Sequence, residues 1–173
     1  FVEAWSTVRE PLIDNGGHAS LKELVLSANM SVASGGSMVA TNLTVGQNAG
    51  ASLAVAGGDL TVDNHLDVGG YNGATARFNV SGGTVSVGGL FLNKWADTAS
   101  VGGSQVDLSG GMLMSSGDFS ISSVHPTLLN VSGGALVVPT NMLNNVNFWI
   151  NSGDIAGYGV GLTASEFDFD LAN

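Results

Sequence analysis

The chain has no cysteine and very few cationic side chains. Lysine and arginine together make up 4 of its 173 residues, against 14 aspartates and glutamates, and the formal net charge is −10. Without cysteine there can be no disulfide, no thiolate zinc site and no thiol nucleophile. Nucleic acids and anionic membrane surfaces both attract clustered cations, so the composition argues against either partner. We expect neither nucleic-acid nor membrane binding.

Two further absences concern membrane spans and the start of the chain. No apolar run approaches the roughly 18–20 residues that a membrane-spanning helix requires. The chain starts at Phe1 rather than at a methionine, and no signal peptide is evident. We therefore predict no membrane span, and we expect a processed or excised segment.

Glycine and apolar residues dominate what is present. Glycine accounts for 26 of the 173 residues, hydrophobic residues for 44% and charged residues for only 10%. Few strong helix formers remain, which argues against a helical protein, and the high apolar content argues against disorder. We predict an all-β protein with a single domain over residues 1–173.

The clearest local pattern lies in residues 78–93, F-N-V-S-G-G-T-V-S-V-G-G-L-F-L-N. It contains three short alternations of apolar and other residues, separated by glycines. The alternating apolar pairs are Phe78/Val80, Val85/Val87 and Leu90/Leu92. Alternation at a period of two is typical of strands, and paired glycines let the backbone turn between them. This stretch predicts one coil of a three-sided solenoid.

Glycine corners recur along the chain at variable spacing. They begin at residues 16, 35, 57, 82, 110 and 133 and lie 19 to 28 residues apart. A period that varies while the strands stay short is typical of a solenoid whose loops differ in length. We predict about six to seven coils over residues 12–155. Residues 1–11 are predicted to cap the first coil and residues 156–173 the last, since open sheet edges need covering.

The repeated units resemble a known group of proteins. The segments LAVAGGDLTV, FNVSGGTVSVGGLFL and LNVSGGALVV, and the opening LIDNGGHASLKELVLSANMSVASGGSMVATNLTVG, are similar to the S-G-G-T-L-x-V repeats of secreted bacterial β-helix proteins. The resemblance covers roughly residues 12–155. It implies a right-handed parallel β-helix and secretion. Such domains serve as adhesins, as stalks or as modules attached to polysaccharide-degrading enzymes, so the resemblance leaves function open.

The sequence contains no clear arrangement of catalytic residues. A polysaccharide lyase needs a base and a cation close together, but Arg77 begins a strand and Lys94 lies in a loop. A two-carboxylate hydrolase needs paired acids, yet the alternation places Asp63 and Asp67 on different faces and leaves Asp107 isolated. The histidines are dispersed, with no nucleophile elbow. We expect no enzyme, no metal site and no cofactor; structural calcium between coils stays open.

Outward aromatic and polar residues favour a ligand-binding role. With Leu90 and Leu92 inward, Phe91 points outward and leads into a segment that contains Trp95, while Tyr71 occupies the equivalent corner one coil earlier. Aromatic rings stack on sugars, and amides and charged groups bond their hydroxyls. The candidate ligand-binding residues are His65, Asp67, Tyr71, Asn72, Phe91, Asn93, Lys94 and Trp95. The alternative is that these aromatics pack under loops, with Trp95 on Phe91.

The hypothesis from sequence is a monomeric, non-catalytic carbohydrate-binding module cut from a larger secreted enzyme. The lack of cations favours a neutral or weakly charged polysaccharide, and the resemblance favours an agarose-type galactan. The alternatives are a structural or adhesive solenoid that binds protein or spaces domains, and a lyase-like enzyme. Met112, Met114 and Val137 are also predicted to face outward. They would contact another domain or, as we prefer, the tail that contains Phe167 and Phe169.

Overall fold

The computed structural model is a β-solenoid built from parallel strands. It describes residues 12–13, 16–46, 50–69, 75–92, 103–121, 127–139, 148–150 and 154–158, and no helix occurs among them. The strands are β1 (Leu12–Ile13), β2 (His18–Leu26), β3 (Met30–Ala33), β4 (Ser37–Val45), β5 (Ala51–Val68), β6 (Ala76–Leu92), β7 (Ser104–Ser115), β8 (Phe119–Ile121), β9 (Thr127–Pro139), β10 (Phe148–Ile150) and β11 (Asp154–Tyr158). Every pairing between them is parallel. The predicted all-β parallel solenoid is confirmed.

The solenoid has three faces, because the long strands bend at corners and continue on the next face. Each face carries a column of inward residues in register, one from each coil. On the first face the column is Met30, Leu53, Phe78, Val106 and Leu129. On the second it is Met38, Leu60, Val85, Leu113 and Leu136. On the third it is Leu24, Leu43, Leu66, Leu90 and Phe119.

The coils between residues 12 and 121 have a strand on each of the three faces. Between residues 30 and 121 four coils have a strand on each face. An earlier coil has only the two-residue strand β1 on its first face and β2 on the other two. In later coils the described residues form strands on the first and second faces. The six to seven coils expected from the glycine spacing are therefore about four full turns plus partial ones. Strand β11 continues to Tyr158, past the predicted end of the coils at residue 155.

The inward columns form one continuous core. Phe78, Leu53, Leu90 and Val106 are each 0% exposed, and buried residues from all three faces belong to the same cluster. Burying a side chain of this size contributes roughly 1.5–3 kcal/mol. A single coil could not enclose its own apolar residues, so stacking is what removes them from water.

The glycine corners bring the backbones of successive coils into close approach. The corner between the first and second faces contains Gly83, Gly111 and Gly134, whose φ angles are +80°, +74° and +79°. A Cβ on Gly111 would lie 2.5 Å from the Gly83 carbonyl oxygen, and one on Gly134 would lie 2.6 Å from the Gly111 carbonyl oxygen. No other residue type both adopts this φ readily and fits the space.

The outer surface differs from face to face. Met112 and Met114 lie outside the core on the second face, where Met114 is in register with Val137. Met112 is 40% exposed, so its predicted outward position is confirmed. The tail with Phe167 that was predicted to cover this surface, like the predicted cap at residues 1–11, lies outside the described residues.

We predict that the corner glycines differ in their contribution to stability according to the space around them. Gly111→Ala should lower the free energy of unfolding by more than about 2 kcal/mol, because it adds a clash with the neighbouring coil to the strain of a positive φ. Gly16→Ala is the matched control, since Gly16 has φ +87° but nothing within 4 Å of an added Cβ. Urea unfolding of both variants measures the difference; equal losses would show that coil packing at this corner is loose.

Candidate functional site

The outer surface of the third face brings together three of the residues predicted to bind ligand. His65 and Asp67 are on β5, and Phe91 is on the neighbouring β6. Asp67 is in direct register with Phe91, and His65 is in register with Gly89. Their neighbours Leu66 and Leu90 belong to the core, so alternation along each strand directs these three outward.

Phe91 is outside the interior core and yet is buried. Only 2% of the residue is exposed. Its ring lies against the His65 ring, with the centroids 5.1 Å apart and the planes tilted by 55°. Gly89 makes room for this pair, because a Cβ at that position would lie 3.2 Å from the Phe91 ring and 3.3 Å from Nδ1 of His65. The tilted ring geometry is the favoured one for aromatic pairs.

This burial corrects the expectation that Phe91 stands on the surface as a stacking platform. Its ring face is not available to a ligand in this structure, and the packing alternative is favoured for this residue. His65 is exposed and Asp67 is half-buried, so the polar groups around Phe91 remain within reach of solvent. The candidate surface on the third face therefore consists of His65 and Asp67 over a buried aromatic.

The other predicted binding residues belong to segments outside the described residues. These are Tyr71, Asn72, Asn93, Lys94 and Trp95. The structure does show where their segments begin. Val68 and Leu92 are in register, so the two segments leave the same edge of the third face on neighbouring coils. The role of these five residues stays a prediction.

The acidic residues are distributed over the surface as the strand pattern predicts. Asp59 is on the second face, in register with Ser37 and Thr84, while Asp67 is on the third face. Exposed Asp63 lies at the corner between these faces. Within the described part of the chain, no three histidine, aspartate or glutamate side chains come together in a way that could hold a metal ion.

Asp107 was expected to lack a paired acid, and its hydrogen-bond partners in the structure are two amide side chains. Asp107 lies on the outer surface of the first face, and both of its carboxylate oxygens accept hydrogen bonds. Gln105 donates from Nε2 to Oδ2 over 2.7 Å, and Asn130 of the next coil donates from Nδ2 to Oδ1 over 3.1 Å. Asn79 occupies the same column one coil earlier.

A signal for this polar column was present in the sequence. Three units with the same pattern, F-N-V-S-G-G, V-D-L-S-G-G and L-N-V-S-G-G, place Asn79, Asp107 and Asn130 at one position. The spacing between the units varies, and only the register establishes that this position forms a straight column. Reading each acid by its neighbours along the chain missed the column.

The chain was compared with known protein families, with characterised proteins and with solved structures, and none of the three comparisons finds a match. The described part of the chain contains no helix that could cross a membrane.

We predict that Phe91 and His65 differ in their contribution to stability although they lie in contact. Phe91→Ala should cost about 3–5 kcal/mol, because it empties a buried aromatic site. His65→Ala should change the free energy of unfolding by less than about 1 kcal/mol, since His65 is exposed. Chemical unfolding of the two variants checks this. A stable Phe91→Ala variant would show that the ring does not support the third face.

Proposed function

We propose that this chain is a non-catalytic carbohydrate-binding module that recognises a neutral or weakly charged polysaccharide. One observation carries the proposal: the register of Asp67 with Phe91 and of Val68 with Leu92. Exposed His65 and half-buried Asp67 thus lie near the starting points of two segments, one of which contains Tyr71 and the other Trp95. Polar groups beside aromatic residues are what sugar recognition requires, because sugars present both hydroxyls and apolar C–H faces.

The rigidity of the solenoid supports a binding role. The side chains of the third face project from strands whose other side is a fully buried core, with Leu66 and Leu90 at 0% exposure. Groups fixed in this way lose little conformational entropy when a ligand binds. An extended, repeating polymer also matches a surface on which equivalent positions recur at about 4.8 Å, the spacing between strands.

The charge of the chain supports a neutral ligand. A net charge of −10 repels a heavily sulfated or uronate-rich polymer over distances of about one Debye length, about 10 Å at moderate ionic strength. An agarose-type galactan is the preferred neutral candidate, and this choice comes from the resemblance to modules of polysaccharide-degrading enzymes. We further propose that the module is secreted as part of such an enzyme. It would hold the catalytic domain at an insoluble substrate and raise its effective concentration there.

A structural or adhesive solenoid is the second candidate, and the burial of Phe91 is the observation that favours it. If all the aromatics of the third face serve packing as Phe91 does, the surface is a plain polar wall and the domain spaces its neighbours. A lyase-like enzyme is a third possibility that the same assays address, since product release from soluble polymers would reveal it.

We predict that the domain is retained on insoluble agarose and that Trp95→Ala reduces this retention at least about tenfold. The tryptophan would provide a sugar-stacking face worth more than about 1.4 kcal/mol, which corresponds to that factor. Depletion of the protein from solution by agarose, cellulose, chitin and alginate beads measures retention.

Thermal unfolding of the Trp95→Ala variant serves as the control for this assay. An unchanged melting temperature with lost retention supports a ligand-contacting tryptophan. A large loss of stability supports packing instead. If none of the polysaccharides retains the wild-type domain, the binding proposal fails and the structural solenoid is preferred.

A further inference from the structure

The outer surface of the first face carries a set of ordered polar side chains that the proposed site on the third face does not use. Five residues from three successive coils form it, and we call it the first-face polar platform: Arg77, Asn79, Gln105, Asp107 and Asn130. Arg77 is in register with Gln105, and Asn79, Asp107 and Asn130 share one column. The platform spans two steps between strands, or roughly 10 Å along the solenoid axis.

The hydrogen bonds to Asp107 fix the orientation of two amides. A carboxylate only accepts hydrogen bonds, so the amide nitrogens of Gln105 and Asn130 must face Asp107. Their carbonyl oxygens are therefore turned away from it and can accept hydrogen bonds from a ligand. The carboxylate itself is engaged at both oxygens, which leaves it as an orienting group and not as the main ligand contact.

The neighbouring coil presents donors. Arg77 is exposed, and its guanidinium has five N–H donors in a planar fork. Asn79 is half-buried and directed outward between the core residues Phe78 and Val80. Within the described part of the chain, neither Arg77 nor Asn79 has a side-chain hydrogen bond or an ion pair. The platform thus places donors beside oriented carbonyl acceptors on the next coils.

We propose that the first-face polar platform is a second binding surface for a neutral, polyhydroxylated polysaccharide. A hydroxyl group both donates and accepts a hydrogen bond, and it is the ligand group that suits alternating donors and acceptors. A phosphate or carboxylate would gain from Arg77 but would be repelled by the Asp107 charge. The proposal rests on the proposed function for the ligand class, but it uses different residues on a different face.

The strands beneath the first-face polar platform are suited to this role. The inward neighbours Val106, Leu108, Leu129 and Val131 are all 0% exposed, so the strands beneath the platform are rigidly packed. The second face carries exposed Met112, and on the third face the aromatic residue Phe91 is buried. On the first face the column of Asn79, Asp107 and Asn130 has no apolar member, while Leu128 follows Arg77 and Gln105 in the neighbouring column.

The test is titration of the whole chain with soluble neutral oligosaccharides, using neoagarohexaose, cellohexaose and chitohexaose, with an alginate hexamer as the anionic comparison. The heat released at each step of the titration gives the dissociation constant. Arg77→Ala and Asn79→Ala should each weaken binding of the preferred neutral sugar at least about fivefold. Lys22→Ala is the matched control, because it removes one exposed cation away from the platform and should leave the constant unchanged.

Two further readouts separate the possible results. The side-chain amide NMR signals of Gln105 and Asn130 should shift during the titration in the wild type. Arg77→Lys keeps the charge but loses the planar fork, and we expect it to bind as weakly as Arg77→Ala. Full rescue by lysine together with tighter binding of the alginate hexamer would overturn the neutral-ligand proposal in favour of an anionic one.

The proposed function and this inference can fail separately. If the wild type binds a neutral sugar, Trp95→Ala weakens that binding and the Arg77 and Asn79 variants do not, the platform proposal is overturned and the third-face site stands. If the platform variants weaken binding and Trp95→Ala does not, the first face carries recognition. If the wild type binds none of the sugars, both proposals fail. Circular dichroism of each variant confirms that it is folded.

Discussion

Backbone hydrogen bonds hold each coil of this protein to the coils before and after it. These bonds form only where neighbouring coils lie one strand spacing apart. Corners are the difficult places, because side chains there would separate the backbones. Gly111 lies so close to the Gly83 carbonyl that no Cβ fits between them. At another corner the N–H of Gly46 donates to the Leu26 carbonyl at 2.9 Å. The glycine corners therefore keep the ladder continuous, and the ladder keeps the apolar columns in line.

The same register determines the chemistry of the outer surface. Once inward residues are stacked, the residues between them are stacked as well, so each face presents straight columns of side chains. Asp107 meets Asn130 because of this, although 23 residues separate them in the chain. A solenoid of this kind arranges polar groups in rows without any loop to position them. Surface recognition by such rows needs little rearrangement, which suits an extended and repetitive ligand.

The first and third faces use this arrangement in different ways. On the third face Gly89 leaves space that the rings of Phe91 and His65 fill, and an outward aromatic becomes a buried one. On the first face no large apolar residue stands in the central column between Asn79 and Asn130, and the amides and the carboxylate order one another. An outward position on a strand is thus not the same as an exposed one. At Phe91 the missing side chain of Gly89, two residues earlier on the same strand, leaves the space in which the ring packs against His65.

The sequence by itself determined the fold class, the inward residues and the corners. Period-two alternation and paired glycines are local signals, and Phe78, Val85 and Leu90 lie in the core where that pattern puts them. The number of complete coils and the partners of outward residues were not determined in this way, because loops of variable length hide which positions align between coils. Only the tertiary structure decided that Phe91 is buried against His65 and that Asp107 is bonded to Gln105 and Asn130. The repeated S-G-G units and the period-two alternation put these residues at equivalent outward positions, but the contacts between coils depend on the register, which loops of variable length hide.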